Sequence, residues 1–257
     1  MLWKPLFALS WLLAASAVLA ADEPAQAAKD EKPAARRTNR VRVPSRGQPN
    51  SLGTPLQDAK YWKDALVPIK DEPGLPRVLL IGDSVSVCYT LATRELLKGE
   101  ANVHRIPANG GTTTKSLQEI DGWLGEGHWD VIHFNWGLHD LRQLAGTTLE
   151  QYEQNLRKLV KRLQATSAKL IWCSSTPLPG DVPRSAQQTD DLLARNAVAK
   201  KIMDENGIAI EDLFTFAKPR LAKIQMPRSA HFTEEGSKVL AEPIARSIRQ
   251  AIRSPNR

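Results

Sequence analysis

Short apolar runs alternate with stretches of helical periodicity from residue 78 to residue 252, and few architectures accommodate that alternation. Strands are predicted at Val78–Ile81, Ala101–Ile106, Trp129–Asn135, Lys169–Cys173 and Ile208–Leu213. Helices are predicted between them at Ser84–Lys98, Thr114–Trp123, Leu149–Gln164 and Thr189–Asn206, with Gly99 and Gly207 as stops. A last helix, capped by Thr233, repeats apolar residues at Leu240, Ile244, Ile248 and Ile252. Glu234 and Glu235 suit its amino end, and Pro243 is expected to bend or shorten it. Strands joined by helices form a parallel sheet covered on both faces. The expected fold is a flavodoxin-like three-layer α/β/α sandwich, five parallel strands in the order 2-1-3-4-5. No internal repeat is visible.

The chemistry falls at the carboxyl ends of the strands, where open α/β sheets place their ligands. Val78-Leu79-Leu80-Ile81 runs into Gly82-Asp83-Ser84. A serine there opens the next helix, whose dipole would favour an alkoxide. His231 lies 147 positions downstream and suits a general base. On this pair alone, Asp83 and Ser84 as plain helix caps is an equally good reading. Two further blocks follow short apolar segments: Asn109-Gly110-Gly111-Thr112 and Asn135-Trp136-Gly137-Leu138-His139-Asp140. A glycine-rich turn can present backbone N–H groups to an oxyanion with no Cβ in the way.

These four blocks, in this order, resemble the SGNH (GDSL-type) hydrolase family over residues 76 to 252. The resemblance implies Ser84 as nucleophile and His231 as base, with the N–H groups of Ser84 and Gly111 and the side chain at position 139 around the oxyanion. Asp83, Asn109, Gly110 and Asp140 become supporting residues, Asp140 as a structural brace rather than a chemical group. Two departures stand out. The family's oxyanion asparagine is His139, which as a neutral imidazole can still donate one N–H. The family's Asp-x-x-His would need an acid at position 228, which is Arg228. His231 Nδ1 is then held by a backbone carbonyl in a Ser84–His231 dyad, or by a carboxylate from elsewhere. The α/β-hydrolase elbow Gly-x-Ser-x-Gly is absent: Ser86 stands where its second glycine belongs.

The termini and composition set the surroundings. Residues 1–20 read as a secretory signal, with Lys4, an apolar stretch to Leu19 and a small-residue cleavage site before Ala21. That stretch is short for a spanning helix, so an uncleaved anchor ranks second and no stable membrane insertion is expected after cleavage. Residues 21–50 are expected to form a disordered Ala/Pro/Lys/Arg-rich linker, 51–75 a lead-in segment with a short helix around Tyr61–Leu66, and 76–257 the hydrolase-like domain. Lys4 and the linker carry +4 of the formal +7, which leaves too little on the domain to argue for nucleic acid. Cys88 and Cys173 are expected to be buried free thiols, with a disulfide the lesser alternative. No His, Cys and carboxylate cluster has metal-ligand spacing, and no cofactor is implied.

The chain thus reads as a secreted or periplasmic serine esterase acting on short-acyl, chiefly acetyl, esters of a small molecule or carbohydrate. An acyltransferase of the same architecture and an inactive carbohydrate-binding relative are the alternatives. Trp136, Arg184 and Arg228 are the substrate-contact candidates, the first as a stacking platform and the arginines for an anionic substrate.

Overall fold

The computed structural model describes residues 60–180 and 185–255. The expected signal and linker, and Arg184, lie outside the described residues. In chain order the elements are α1 (Lys60–Leu66), β1 (Arg77–Ile81), α2 (Ser84–Leu96), β2 (Asn102–Arg105), α3 (Thr113–Leu124), β3 (Val131–Phe134), α4 (Arg142–Ala145), α5 (Leu149–Gln164), β4 (Lys169–Cys173), α6 (Ser185–Glu205), β5 (Ala209–Glu211), α7 (Leu213–Ala217), α8 (Leu221–Ile224) and α9 (Glu234–Arg253). Single 3-10 turns cover Leu138–Asp140 and Lys218–Arg220.

All strand pairs are parallel, in the order β2-β1-β3-β4-β5. The two-residue period of β1 shows why both faces must be covered. Val78 and Leu80 point into a core shared with Tyr89 of α2 and Leu240, Ile244 and Ile248 of α9. Leu79 and Ile81 point the other way, into a core built with α3, α5 and α6. The α5 stripe of Tyr152, Leu156, Leu159, Val160 and Leu163 is buried there, each side chain contributing on the order of 2 kcal/mol. Thr148 closes a capping box with Gln151, which starts α5 where the periodicity begins.

Helix α1 packs Trp62 and Ala65 on Val87 and Cys88 of α2. Both cysteines are buried and unpaired; burial pushes the Cys88 thiol up to about 12 and the Cys173 thiol well above its usual value. Pro243 does not shorten α9, which runs unbroken for 20 residues with the proline ring buried. Among the described residues no helix is long and apolar enough to cross a membrane.

Candidate active site

Ser84 is the first residue of α2, directly beyond β1. Asp83 caps the helix, its carboxylate accepting the Val85 N–H at 2.9 Å. The Ser84 N–H itself donates to no protein group among the described residues, so it stands open at the helix amino end.

The turn is held from below by Arg105, the last residue of β2, which is only 8% exposed. Its Nη1 donates to Ser86 Oγ at 2.6 Å, and its Nη2 donates to the Gly82 and Asp83 carbonyls at 2.9 and 3.2 Å. Burial lowers its pKa to about 10, which leaves it cationic at neutral pH. Sequence reasoning missed this residue; the available signal was an arginine at the end of a strand, beside Ile106 and just before the glycine block.

The second block docks on the first through Gly110, whose N–H donates to the Gly82 carbonyl at 2.9 Å. A Cβ on Gly110 would lie 2.9 Å from that same oxygen, so only glycine lets the two loops approach this closely. Gly111 has a φ of +64°, and its N–H donates to Asn109 Oδ1 at 2.9 Å. This N–H, expected to serve the oxyanion, therefore already has an acceptor within its own loop.

In the third block Asp140 is fully buried. Its carboxylate accepts the Thr113 N–H at 3.0 Å and the Thr113 hydroxyl at 2.6 Å, bracing the start of α3. Its carbonyl accepts from the buried Arg195, which also donates to the Thr147 carbonyl, both at 2.6 Å. Trp136 is 1% exposed, packs against Phe134 and donates its indole N–H to Ser116 Oγ at 2.6 Å. With no face open to solvent it is a core residue, which corrects the expectation of a stacking platform.

His231 arrives on a loop folded back on itself. Gln225 and Phe232 form an antiparallel bridge, and the Met226 N–H donates to the His231 carbonyl at 3.0 Å. His231 Nε2 lies 2.8 Å from Ser84 Oγ, the geometry of a nucleophile and its base. Among the described residues Nδ1 hydrogen-bonds to neither a backbone carbonyl nor a carboxylate, which corrects both sequence expectations. It lies 3.1 Å from Ser229 Oγ, which also accepts the His231 backbone N–H at 3.1 Å. No motif marked Ser229; its only signal was a hydroxyl two residues before the histidine. Burial lowers the His231 pKa, the Asp83 charge opposes that shift, and His139 adds to it.

Ser84, His139, Arg228 and His231 line one cavity of about 290 Å³. Leu138, Leu141, Leu144 and Leu178 form its apolar wall. Among the described residues no group of three or more His, Cys, Asp or Glu side chains is arranged to hold a metal ion.

The model of the GDSL-like lipase/acylhydrolase family matches residues 81–239, from the end of β1 past His231. The chain belongs to this family. As a GDSL-like acylhydrolase it is a carboxylic ester hydrolase. Its fold is shared with solved structures at low identity. One is an acetyl xylan esterase, AlAXEase, with TM-score 0.60 and 17% identity, covering 67% of this chain and 99% of that one. Another is Axe2, an acetylxylan esterase from Geobacillus stearothermophilus, with TM-score 0.58 and 19% identity over 67% and 94% of the two chains. A third is a lipase/acylhydrolase from Enterococcus faecalis, with TM-score 0.59 and 19% identity over 68% and 96%. No curated protein matches the chain in sequence.

Proposed function

We propose that this hydrolase is an exported serine esterase that removes short acyl groups, acetyl above all, from carbohydrate esters. The contact of 2.8 Å between Ser84 Oγ and His231 Nε2 carries the mechanism. Ser84 Oγ attacks the ester carbonyl carbon while Nε2 takes its proton, then returns that proton to the departing alcohol. Water, deprotonated by the same nitrogen, then releases the acid from the acyl-enzyme.

For Nε2 to accept, Nδ1 must carry the hydrogen and donate it to Ser229 Oγ. The oxyanion forms beside the open Ser84 N–H and the His139 side chain, whose ring N–H can donate to it. Gly111 joins them when substrate draws its N–H from Asn109. Carbohydrate as the alcohol is supported by the acetyl xylan esterases of like fold, and export by the signal pattern of residues 1–20.

Ser84→Ala should cut hydrolysis of an aryl acetate by several powers of ten without altering the thermal midpoint. Wild-type enzyme should give a burst of one phenol per active site. A loss below about tenfold would remove Ser84 from the role. Acetate release from acetylated xylo-oligosaccharides tests the carbohydrate. Amino-terminal sequencing from a secreting host should find Ala21 or Asp22 first, and an intact Met1 would sink export.

A further inference from the structure

The seat where the family resemblance expects an acid holds an arginine, and the backbone there is one that arginine rarely adopts. Ser229 N–H donates to the Met226 carbonyl at 3.2 Å, closing a four-residue turn with Pro227 second and Arg228 third. Arg228 has a φ of +55°. A turn with proline second and positive φ third calls for glycine or asparagine, so arginine costs stability at this position. Strain of this kind persists at sites where the side chain has work to do.

The side chain is exposed and makes no hydrogen bond or ion pair among the described residues. The acids closest in sequence are engaged: Glu234 and Glu235 both pair with Lys238. Arg228 nevertheless lines the same cavity as Ser84 and His231. An unpaired guanidinium there presents a planar fork of donors matched to an anionic oxygen pair. The apolar wall of Leu138, Leu141, Leu144 and Leu178 leaves the cationic rim as the place for a charged substituent.

We infer that Arg228 is a specificity-determining residue that binds an anionic group carried by the ester substrate. The chemistry fits a carboxylate, as on a uronic acid, or a sulfate. The inference rests on the esterase reading above and narrows its substrate.

Three acetylated methyl glycosides test it: a neutral sugar, the corresponding uronate and a sulfated sugar, each with the acetyl group at the same position. Wild-type enzyme should show kcat/KM about tenfold higher for at least one charged ester at low salt. The gap should arise in KM and shrink when ionic strength is raised to about 0.5 M. The charged ester that gains identifies the anion. Arg228→Gly, which suits the turn and should fold at least as stably, should close the gap; Arg228→Lys should keep part of it. Equal kcat/KM on all three esters in the wild type would overturn the inference. So would an Arg228→Gly loss equal on neutral and charged esters. Failure of every ester and of the aryl acetate would overturn the esterase reading itself, an outcome distinct from lost selectivity.

Discussion

A hydroxyl can hold an imidazole in one tautomer only if something else decides which way the hydroxyl faces. Ser229 Oγ receives the His231 backbone N–H at 3.1 Å and stands 3.1 Å from Nδ1. One of its lone pairs is thus committed, and the second is free to accept Nδ1–H. That arrangement leaves Nε2 as the acceptor Ser84 needs. A neutral oxygen stabilises the imidazolium less than a carboxylate does. Ser229→Ala should therefore lower kcat by about ten- to a hundredfold with KM little changed, short of the ~10⁴ lost when a triad aspartate is made neutral. Ser229→Asp should at least retain wild-type kcat and move the acid limb of the rate profile to higher pH, because a carboxylate raises the imidazole pKa. An unchanged rate in Ser229→Ala would remove the residue from the site. The nucleophile and base were legible because their chemistry demands particular residue types after particular strands. The orienting group was not, because many side chains can meet Nδ1 and only the loop's return path selects one.

At the level of elements, the strands inside the sheet were legible because they are buried on both faces and read as continuous apolar runs. Helix α5 and strand β4 stand where the helical stripe and the apolar run put them, at Leu149–Gln164 and Lys169–Cys173. The region from Leu213 to Ile224 was illegible beyond the end of β5. Its helices α7 and α8 have 5 and 4 residues, too short for a period, and packing on α9 and the sheet stabilises them. They matter because α8 leads into the loop that carries His231. Gly236, in the first turn of α9, lets that loop lie against the helix: a Cβ there would sit 2.1 Å from the Ile224 carbonyl oxygen. The Thr233 N–H donates to the same oxygen at 2.9 Å, so backbone rather than a movable side chain must yield. Gly236→Ala should destabilise the fold by about 1–3 kcal/mol in urea titration. It should also reduce kcat more than any change in KM, since it displaces His231 from Ser84. A variant with normal stability and normal kcat would show that the loop is positioned by other contacts.

For the whole molecule, three histidines carry acid sensitivity in one direction, and the innermost has no part in the proposed chemistry. His133 lies on β3 facing the α2 and α9 core, fully buried, with its ring edge-on to Tyr89 and neither nitrogen bonded to a protein group among the described residues. Burial lowers its pKa from the ordinary 6.5 to about 4. Burial also lowers His104, against the pull of Asp71, and His231. In each case the unfolded chain binds the proton first as pH falls, so it holds more protons than the native state below 6.5. Stability is then fully present above that value and declines toward pH 4, with His133 alone contributing a loss of about 3 kcal/mol at roughly 1.36 kcal/mol per unit. The raised pKa values of buried Asp140 and half-buried Glu211 offset part of this, since those groups take up protons more readily in the folded chain. His133→Leu keeps the apolar volume and removes the titrating ring and its orphaned nitrogens. Urea midpoints between pH 7 and pH 4.5 should fall clearly in the wild type and much less in this variant. The acid limb of kcat/KM belongs to His231 and should lie below the ordinary imidazole value in both proteins. A stability slope that survives His133→Leu would assign acid sensitivity elsewhere, and a shifted rate limb would show that the buried ring is felt at Ser84.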